Sequence, residues 1–286
     1  MTLQTEFAGH VRGDVSEAFM NRQWLVLMSA LGVVLGVSGC TQPVEIIAHR
    51  GASYLAPENT LSAVRLGWEM HADVEIDVHL SRDNQIVVIH DASTKHITGV
   101  DLKVHETTSD ELRRLDYGSH KGPQFAGETL PFLSEVLDTI PPGRKLYIEI
   151  KCGKEILPFL EQAVMDGGKA SQVVIIGFDL DTVTSAKQRL GLPTYWLRGT
   201  RKTEDTEEWI PHDPNWVQSV VDRGLDGLDV HYAGVHQDFV AKAKAAGQRL
   251  YVWTVDDPQE AKRLVQLGVN GITTNRPGWL RQQIRR

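Results

Sequence analysis

Residues 73–91 read DVEIDVHLSRDNQIVVIHD, and the rest of the chain is best understood from this stretch. In an extended strand, residues i and i+2 point to the same side, so Glu75 and Asp77 present two carboxylates on one face. The gap after them, Ser81 to Gln85, is too short for a parallel crossover, which takes a dozen or more residues. It predicts an antiparallel hairpin turning at Arg82-Asp83-Asn84-Gln85. If Arg82 pairs with Gln85, His90 stands opposite Asp77, and cross-strand partners lie about 4.5–5.5 Å apart. Two hard carboxylate ligands beside an imidazole point to metal-assisted acid–base chemistry on a phosphate or carbonyl. The alternative is a charged edge hairpin whose carboxylates are merely solvated.

Upstream, Val44-Glu45-Ile46-Ile47-Ala48 is a buried-strand run that ends in His49-Arg50-Gly51. Pro57-Glu58-Asn59-Thr60 then opens a helix with Asn59 or Thr60 as its cap and Leu61, Val64 and Trp68 on its apolar face. Downstream, residues 92–128 break the rhythm. They carry Lys95, His96, Thr98, Lys103 and His105 and a short helix, Ser109 to Leu115, capped by Ser109. The stretch is too long for an ordinary loop and reads as a small inserted lid or cap. After a helix over 131–140 and a strand over 145–151 (KLYIEIK), strands and helices alternate regularly to the end of the chain.

With the hairpin treated as an excursion of the second strand, strands begin near residues 45, 73, 145, 173, 194, 227, 250 and 271. Eight strands alternating with helices, in about the usual length of about 250 residues, predict an α/β fold, a (β/α)8 TIM barrel with one inserted cap. A doubly wound open sheet is the competing architecture, but it usually carries a glycine-rich phosphate turn after its first strand, and none is present. Gly247 and Gly268 fit left-handed helix ends.

The chain has 286 residues and a formal charge of −7. That charge argues against a general nucleic-acid-binding surface. Near the N-terminus, Trp24 to Val37 is an apolar run of 14 residues, too short to span a bilayer, which takes about 20. Arg22 precedes it and Ser38-Gly39-Cys40 follows. The cassette resembles a bacterial lipoprotein signal, with Val37-Ser38-Gly39-Cys40 as the lipobox. That resemblance implies cleavage before Cys40, lipidation of Cys40, and a domain over 40–286 anchored to the cell-envelope membrane, facing the periplasm or exterior. The alternative is a buried apolar helix. Acidic residues before the run make Met20 a candidate start. Only Thr41, Gln42 and Pro43 would separate the anchor from the first strand. The second cysteine, Cys152, would then lack an intramolecular partner, so disulfides do not staple this fold.

Barrel active sites lie at the C-terminal ends of the strands. There the sequence places His49 and Arg50 on the first strand, Glu75 and Asp77 on the second, His90 on its returning arm, and Glu149 and Lys151 on the third. The order His49-Arg50-Gly51, Pro57-Glu58-Asn59-Thr60, Glu75-x-Asp77, His90-Asp91, Ile148-Glu149-Ile150-Lys151, Trp253-Thr254-Val255 and Thr274-Asn275-Arg276-Pro277 closely resembles the glycerophosphodiester phosphodiesterase family. The resemblance runs over nearly the whole of residues 40–286. It implies that Glu75, Asp77 and Glu149 bind one divalent cation, Ca2+ or Mg2+ rather than Zn2+ for an all-oxygen site. It implies that His49 and His90 are the acid–base pair, that Arg50 and Lys151 hold the phosphate, and that the substrate is a small glycerophosphodiester. Glu58 would touch the glycerol or brace the rim, and Trp253 and Phe178 would wall the glycerol pocket. The expected reaction is hydrolysis to glycerol 3-phosphate and an alcohol. Asn275 stands where the family often has Asp, and Gly177 where a Ser is common; both bear on substrate fit more than on activity. Two other readings stay open: a phospholipase acting on intact lipid, and a binding lipoprotein on an inactive barrel.

Overall fold

The computed structural model describes residues 43–285. The expected signal segment and Cys40 lie outside the described residues. Eight parallel strands close into a barrel. In chain order the elements are β1 (Glu45–Ala48), α1 (Leu61–Glu69), β2 (Asp73–Leu80), β3 (Ile86–Val88), α2 (Lys95–Thr98), α3 (Ser109–Leu112), α4 (Leu133–Asp138), β4 (Leu146–Ile150), α5 (Leu157–Asp166), β5 (Val173–Gly177), α6 (Leu180–Leu190) and β6 (Thr194–Arg198). They continue with α7 (Asn215–Asp222), β7 (Gly227–His231), α8 (Gln237–Ala245), β8 (Arg249–Trp253), α9 (Pro258–Leu267), β9 (Gly271–Thr274) and α10 (Pro277–Ile284). The ring runs β1-β2-β4-β5-β6-β7-β8-β9 and back to β1, with β3 paired outside it on β2. The barrel expected from the sequence is therefore the fold observed.

Alternation along each strand sorts the core into two layers. Inward residues such as Ile47, Tyr147, Val174, Ile176, Tyr195, Leu197 and Tyr251 fill the barrel. Glu45 sits among them at the lower end, where the hydroxyls of Tyr147 (3.0 Å) and Tyr251 (3.2 Å) donate to it. Outward residues pack under the helices, with Val74, Ile76, Ile148 and Ile175 in one cluster and Leu228, Val230, Val252 and Ile272 in another. Cys152 packs against the first of these, away from the mouth.

The hairpin differs from its expected register. Val78 pairs with Val88, His79 with Val87 and Leu80 with Ile86. Ile89, not His90, therefore stands opposite Asp77, and its N–H donates to the Asp77 carbonyl at 3.0 Å. The turn is one residue longer than a two-residue reading allows. Ser81 N–H donates to the Gln85 carbonyl (3.0 Å), Gln85 N–H donates to Ser81 Oγ (3.0 Å), and Asn84 takes a left-handed φ of 60°. Such a slip moves every side chain to the other face of a strand. His90 reaches the mouth because the chain leaves the sheet after Val88.

The helix ends also refine the sequence reading. Thr60 caps α1 and Thr108, not Ser109, caps α3, the latter in a full capping box with Glu111. Ser109 instead bonds Asp83 of the hairpin turn through both its N–H (2.8 Å) and its hydroxyl (2.7 Å). Between β3 and α4, the inserted segment has a small core of its own, built on Val87, Ile89, Val104, Leu112, Tyr117 and Leu130. Burying a side chain such as Leu112 is worth roughly 1.5–3 kcal/mol, enough to hold so short a segment in place. Lys121 ties it to the β1–α1 loop by donating to the Ser53 carbonyl at 2.6 Å.

Candidate active site

Adjacent parallel strands bring the three acidic residues together. Glu75 and Asp77 project inward from β2, and Asp77 pairs in register with Glu149 on β4. One carboxylate oxygen from each lies within 4.8 Å of the others. All three are buried. Burial and the charge of Asp77 hold the Glu75 carboxyl well above its ordinary value and push Glu149 up to about 7. Burial acts on Asp77 as well, but Arg50 and Lys151 outweigh it and hold Asp77 below the usual range. Glu75 Oε1 is buried with no hydrogen-bond partner among the described residues. A divalent cation would satisfy that oxygen and relieve the mutual repulsion, and an all-oxygen set suits a hard ion.

Two cations bracket the cluster. Arg50 Nε lies 3.3 Å from Asp77 and Lys151 Nζ 2.8 Å from Glu149. The Arg50-Gly51 turn makes this possible. Arg50 takes a left-handed φ of 54° and Gly51 one of 77°, and a Cβ on Gly51 would stand 2.5 Å from the Ala63 backbone. The turn aims Arg50 N–H at Glu75 Oε2 (2.7 Å). Glu58 accepts from Arg50 at 2.8 Å, so it braces the guanidinium. Asn59 and Asp77 bond each other twice, through Asn59 Nδ2 (2.9 Å) and Asp77 N–H (3.1 Å).

The two histidines face the same space with their Nδ1 atoms tied back. His49 Nδ1 lies 2.8 Å from Asn275 Oδ1. Asn275 Nδ2 donates to Asp256 at 2.6 Å. A carboxylate only accepts, so the amide nitrogen must face Asp256 and the amide oxygen His49. His49 therefore carries its proton on Nδ1 and leaves Nε2 as a lone pair. Burial and the neighbouring Arg50 charge hold this ring below its ordinary pKa. His90 Nδ1 donates to Asp91 at 2.7 Å, and its Nε2 accepts from Lys151 Nζ at 3.1 Å.

His49, Arg50, Glu75, His90, Glu149 and Lys151 line one side of a cavity of about 270 Å3. The opposite wall is apolar, formed by Ile176, Phe178, Leu197 and Trp253. Phe178 meets Trp253 edge to face at 5.6 Å, and Trp253 Nε1 donates to the Asp229 carbonyl at 3.2 Å. Set in that wall is the Asp229 side chain, which is 2% exposed. Burial and the Glu149 charge raise its carboxyl well above the ordinary value.

His49, Arg50, Glu75, His90, Glu149, Lys151 and Trp253 all line this cavity, as Asp77 and Glu58 support it from behind. Sequence reading did not find Asp229, Asp256 or the contact of Asn59 with Asp77. Strand alternation on Gly227 to His231 carries the only signal for Asp229, since it marks that residue as inward-facing.

A family model for the glycerophosphoryl diester phosphodiesterase family matches residues 49–279. A glycerophosphodiester phosphodiesterase of Caldanaerobacter subterraneus subsp. tengcongensis is 31% identical over 247 residues, covering 84% of this chain and 98% of that protein. Among solved structures, an Oleispira antarctica phosphodiesterase in complex with the product sn-glycerol-3-phosphate superposes with a TM-score of 0.69. It is 27% identical, with 85% of this chain and 97% of that one covered. A glycerophosphodiester phosphodiesterase from Thermotoga maritima superposes with a TM-score of 0.68 at 26% identity, covering 84% and 98%.

Proposed function

This chain belongs to the glycerophosphoryl diester phosphodiesterase family, and from that premise we propose that it hydrolyses glycerophosphodiesters to glycerol 3-phosphate and an alcohol by two-histidine acid–base catalysis. The observation that carries this reading is the clustering of three buried carboxylates, two of them lining the cavity, with two cations and two imidazoles that line it too. Glu75, Asp77 and Glu149 would hold a divalent cation, Ca2+ or Mg2+. When bound, that cation supplies Lewis-acid charge to a phosphoryl oxygen.

The chain's own residues do the rest. Arg50 and Lys151 bind the non-bridging phosphate oxygens and stabilise the charge that builds as phosphorus takes a fifth ligand. Lys151 leaves the His90 ring for the phosphate when substrate binds. His49 Nε2, a lone pair on a ring that burial and the Arg50 charge hold neutral, takes the proton of the glycerol 2-hydroxyl. The bond from that oxygen to phosphorus forms and the bond to the headgroup oxygen breaks. His90, its Nδ1 N–H held by Asp91, donates a proton from Nε2 to the leaving alkoxide. Water then opens the cyclic phosphate with the two rings in exchanged roles.

The test is product identity. Glycerophosphocholine should yield glycerol 3-phosphate and choline. Phosphocholine and glycerol would place the cut on the other ester bond and remove this scheme.

The same reading includes lipidation at Cys40 and an envelope location, supported by the Val37-Ser38-Gly39-Cys40 motif. A role in recovering glycerol and phosphate from broken-down phospholipid follows from that location. Radiolabelled palmitate should enter the protein made in a bacterial host and should not enter Cys40→Ala; equal labelling would remove the anchor.

A further inference from the structure

Asp229 has no role in the scheme above, yet it sits in the wall of the same cavity. It projects inward from β7, in register with Leu197 on β6 and Tyr251 on β8. Around the ring β7 lies across from β2, so Asp229 faces the carboxylate cluster from the far side of the mouth. Its side chain is 2% exposed. Its Oδ1 is fully buried with no hydrogen-bond partner among the described residues. Its neighbours in the wall, Leu197 and Trp253, are apolar there, since the Trp253 indole N–H is spent on the Asp229 backbone.

Buried polar groups are nearly always paired, and one left unpaired loses roughly 1–3 kcal/mol or more. An apolar side chain would fit this wall without that penalty. A lone carboxyl kept in such a place, aimed into a cavity, fits a ligand that brings its own hydroxyl. The phosphate end of a diester is held on the opposite wall by Arg50 and Lys151, which leaves an alcohol arm to reach the β7 wall. We propose that Asp229 is a specificity-determining residue that hydrogen-bonds the terminal hydroxyl of the substrate's glycerol arm, selecting a polyhydroxy alcohol over an apolar one. The proposal rests on the phosphodiesterase reading above. It is independent of which histidine is the base, because a hydroxyl bound at Asp229 is not the one that attacks phosphorus.

The experiment compares two substrates on three proteins. One substrate is glycerophosphocholine. The other is its deoxy analogue, the phosphocholine ester of 1,2-propanediol, which keeps the 2-hydroxyl and lacks the terminal one. The full-length enzyme should prefer glycerophosphocholine by about 10- to 100-fold in kcat/KM, the worth of one hydrogen bond to a charged or strongly polar group. Asp229→Leu should lose that preference and turn the deoxy analogue over at close to the wild-type rate. Asp229→Asn, which keeps the shape and a hydrogen-bonding end, should keep much of the preference and guards against a variant that simply misfolds. Equal use of the two substrates by the unaltered enzyme would overturn the proposal, as would an Asp229→Leu variant that still discriminates. Failure of the unaltered enzyme to cleave either diester would instead overturn the phosphodiesterase reading, and this proposal with it.

Discussion

His49 and Asn275 are 226 positions apart in the chain, and the imidazole Nδ1 of one lies 2.8 Å from the amide oxygen of the other. Asp256 fixes the amide's orientation by accepting from Asn275 Nδ2 at 2.6 Å and from its backbone N–H at 2.9 Å. The tautomer of His49 is thus set two residues away from the ring itself. Asn275→Leu should lower kcat by about 10- to 100-fold, as happens when the groups that orient metal-bound imidazoles are removed. Asn275→Asp should keep activity but shift its pH profile. The added negative charge favours the imidazolium, so the acidic limb of kcat/KM, which needs neutral His49, should move to higher pH. A profile that does not move would take Asn275 out of the control of His49.

His49 and His90 should be separable by the leaving group. On glycerophosphocholine, His90→Ala should lose about 10²–10⁴-fold, the usual worth of general acid–base catalysis. On the 4-nitrophenyl ester of glycerol 3-phosphate the leaving phenolate needs no proton, so the same variant should lose far less. His49→Ala should be impaired on both substrates. Steady-state rates of the two variants on the two esters check this, and a His90→Ala defect of equal size on both would reverse or abolish the assignment.

Cation binding should be coupled to protons. Burial and the Asp77 charge hold Glu75 well up and put Glu149 at about 7. A bound cation must displace those protons, so apparent affinity should fall as pH drops through about 7, roughly tenfold per unit for each proton displaced. The sign for stability runs the other way in the cation-free protein. A carboxyl whose folded pKa is raised contributes most below its unfolded value near 4.5 and loses that contribution as pH rises through about 7. Added Ca2+ or Mg2+ should therefore raise the melting temperature more at pH 8 than at pH 6. Calorimetric titration in buffers of different ionisation enthalpy counts the protons directly; no proton release would contradict the shared acidic site.

The Arg50-Gly51 turn should tolerate no side chain at its second position. Gly51 has a φ of 77°, and a Cβ there would meet the Ala63 backbone at 2.5 Å. Gly51→Ala should lower the thermal midpoint by roughly 4–8 °C, the equivalent of about 2 kcal/mol in a domain of this size. It should also weaken phosphate binding, because the same turn carries Arg50. An unchanged midpoint would mean that the helix after the turn can shift to make room.

The barrel could be read from the sequence because its evidence is local. Each strand is an apolar run closed by a turn residue, and the expected starts at 45, 73, 173, 194, 227 and 271 are the observed ones. The carboxylate cluster was also within reach, since Glu75 and Asp77 are two apart on one strand and Glu149 lies near the end of the neighbouring one. What sequence could not supply depends on three dimensions. The hairpin register hangs on a Ser81 hydroxyl and a left-handed Asn84 that together close a three-residue turn. Asp229 is one inward residue among many until barrel closure sets β7 across from β2. The Asn275 substitution is visible in the chain, but the amide's orientation is decided by Asp256.

Dependence of turnover on a divalent cation is the measurement on which the whole account stands or falls. Glycerophosphocholine is incubated with enzyme stripped by a chelator, and glycerol 3-phosphate is followed before and after Ca2+ or Mg2+ is restored. The account predicts near-complete loss on stripping, recovery on addition, and no recovery in Glu75→Gln. Release of glycerol 3-phosphate that continues at the same rate in the stripped enzyme would contradict it.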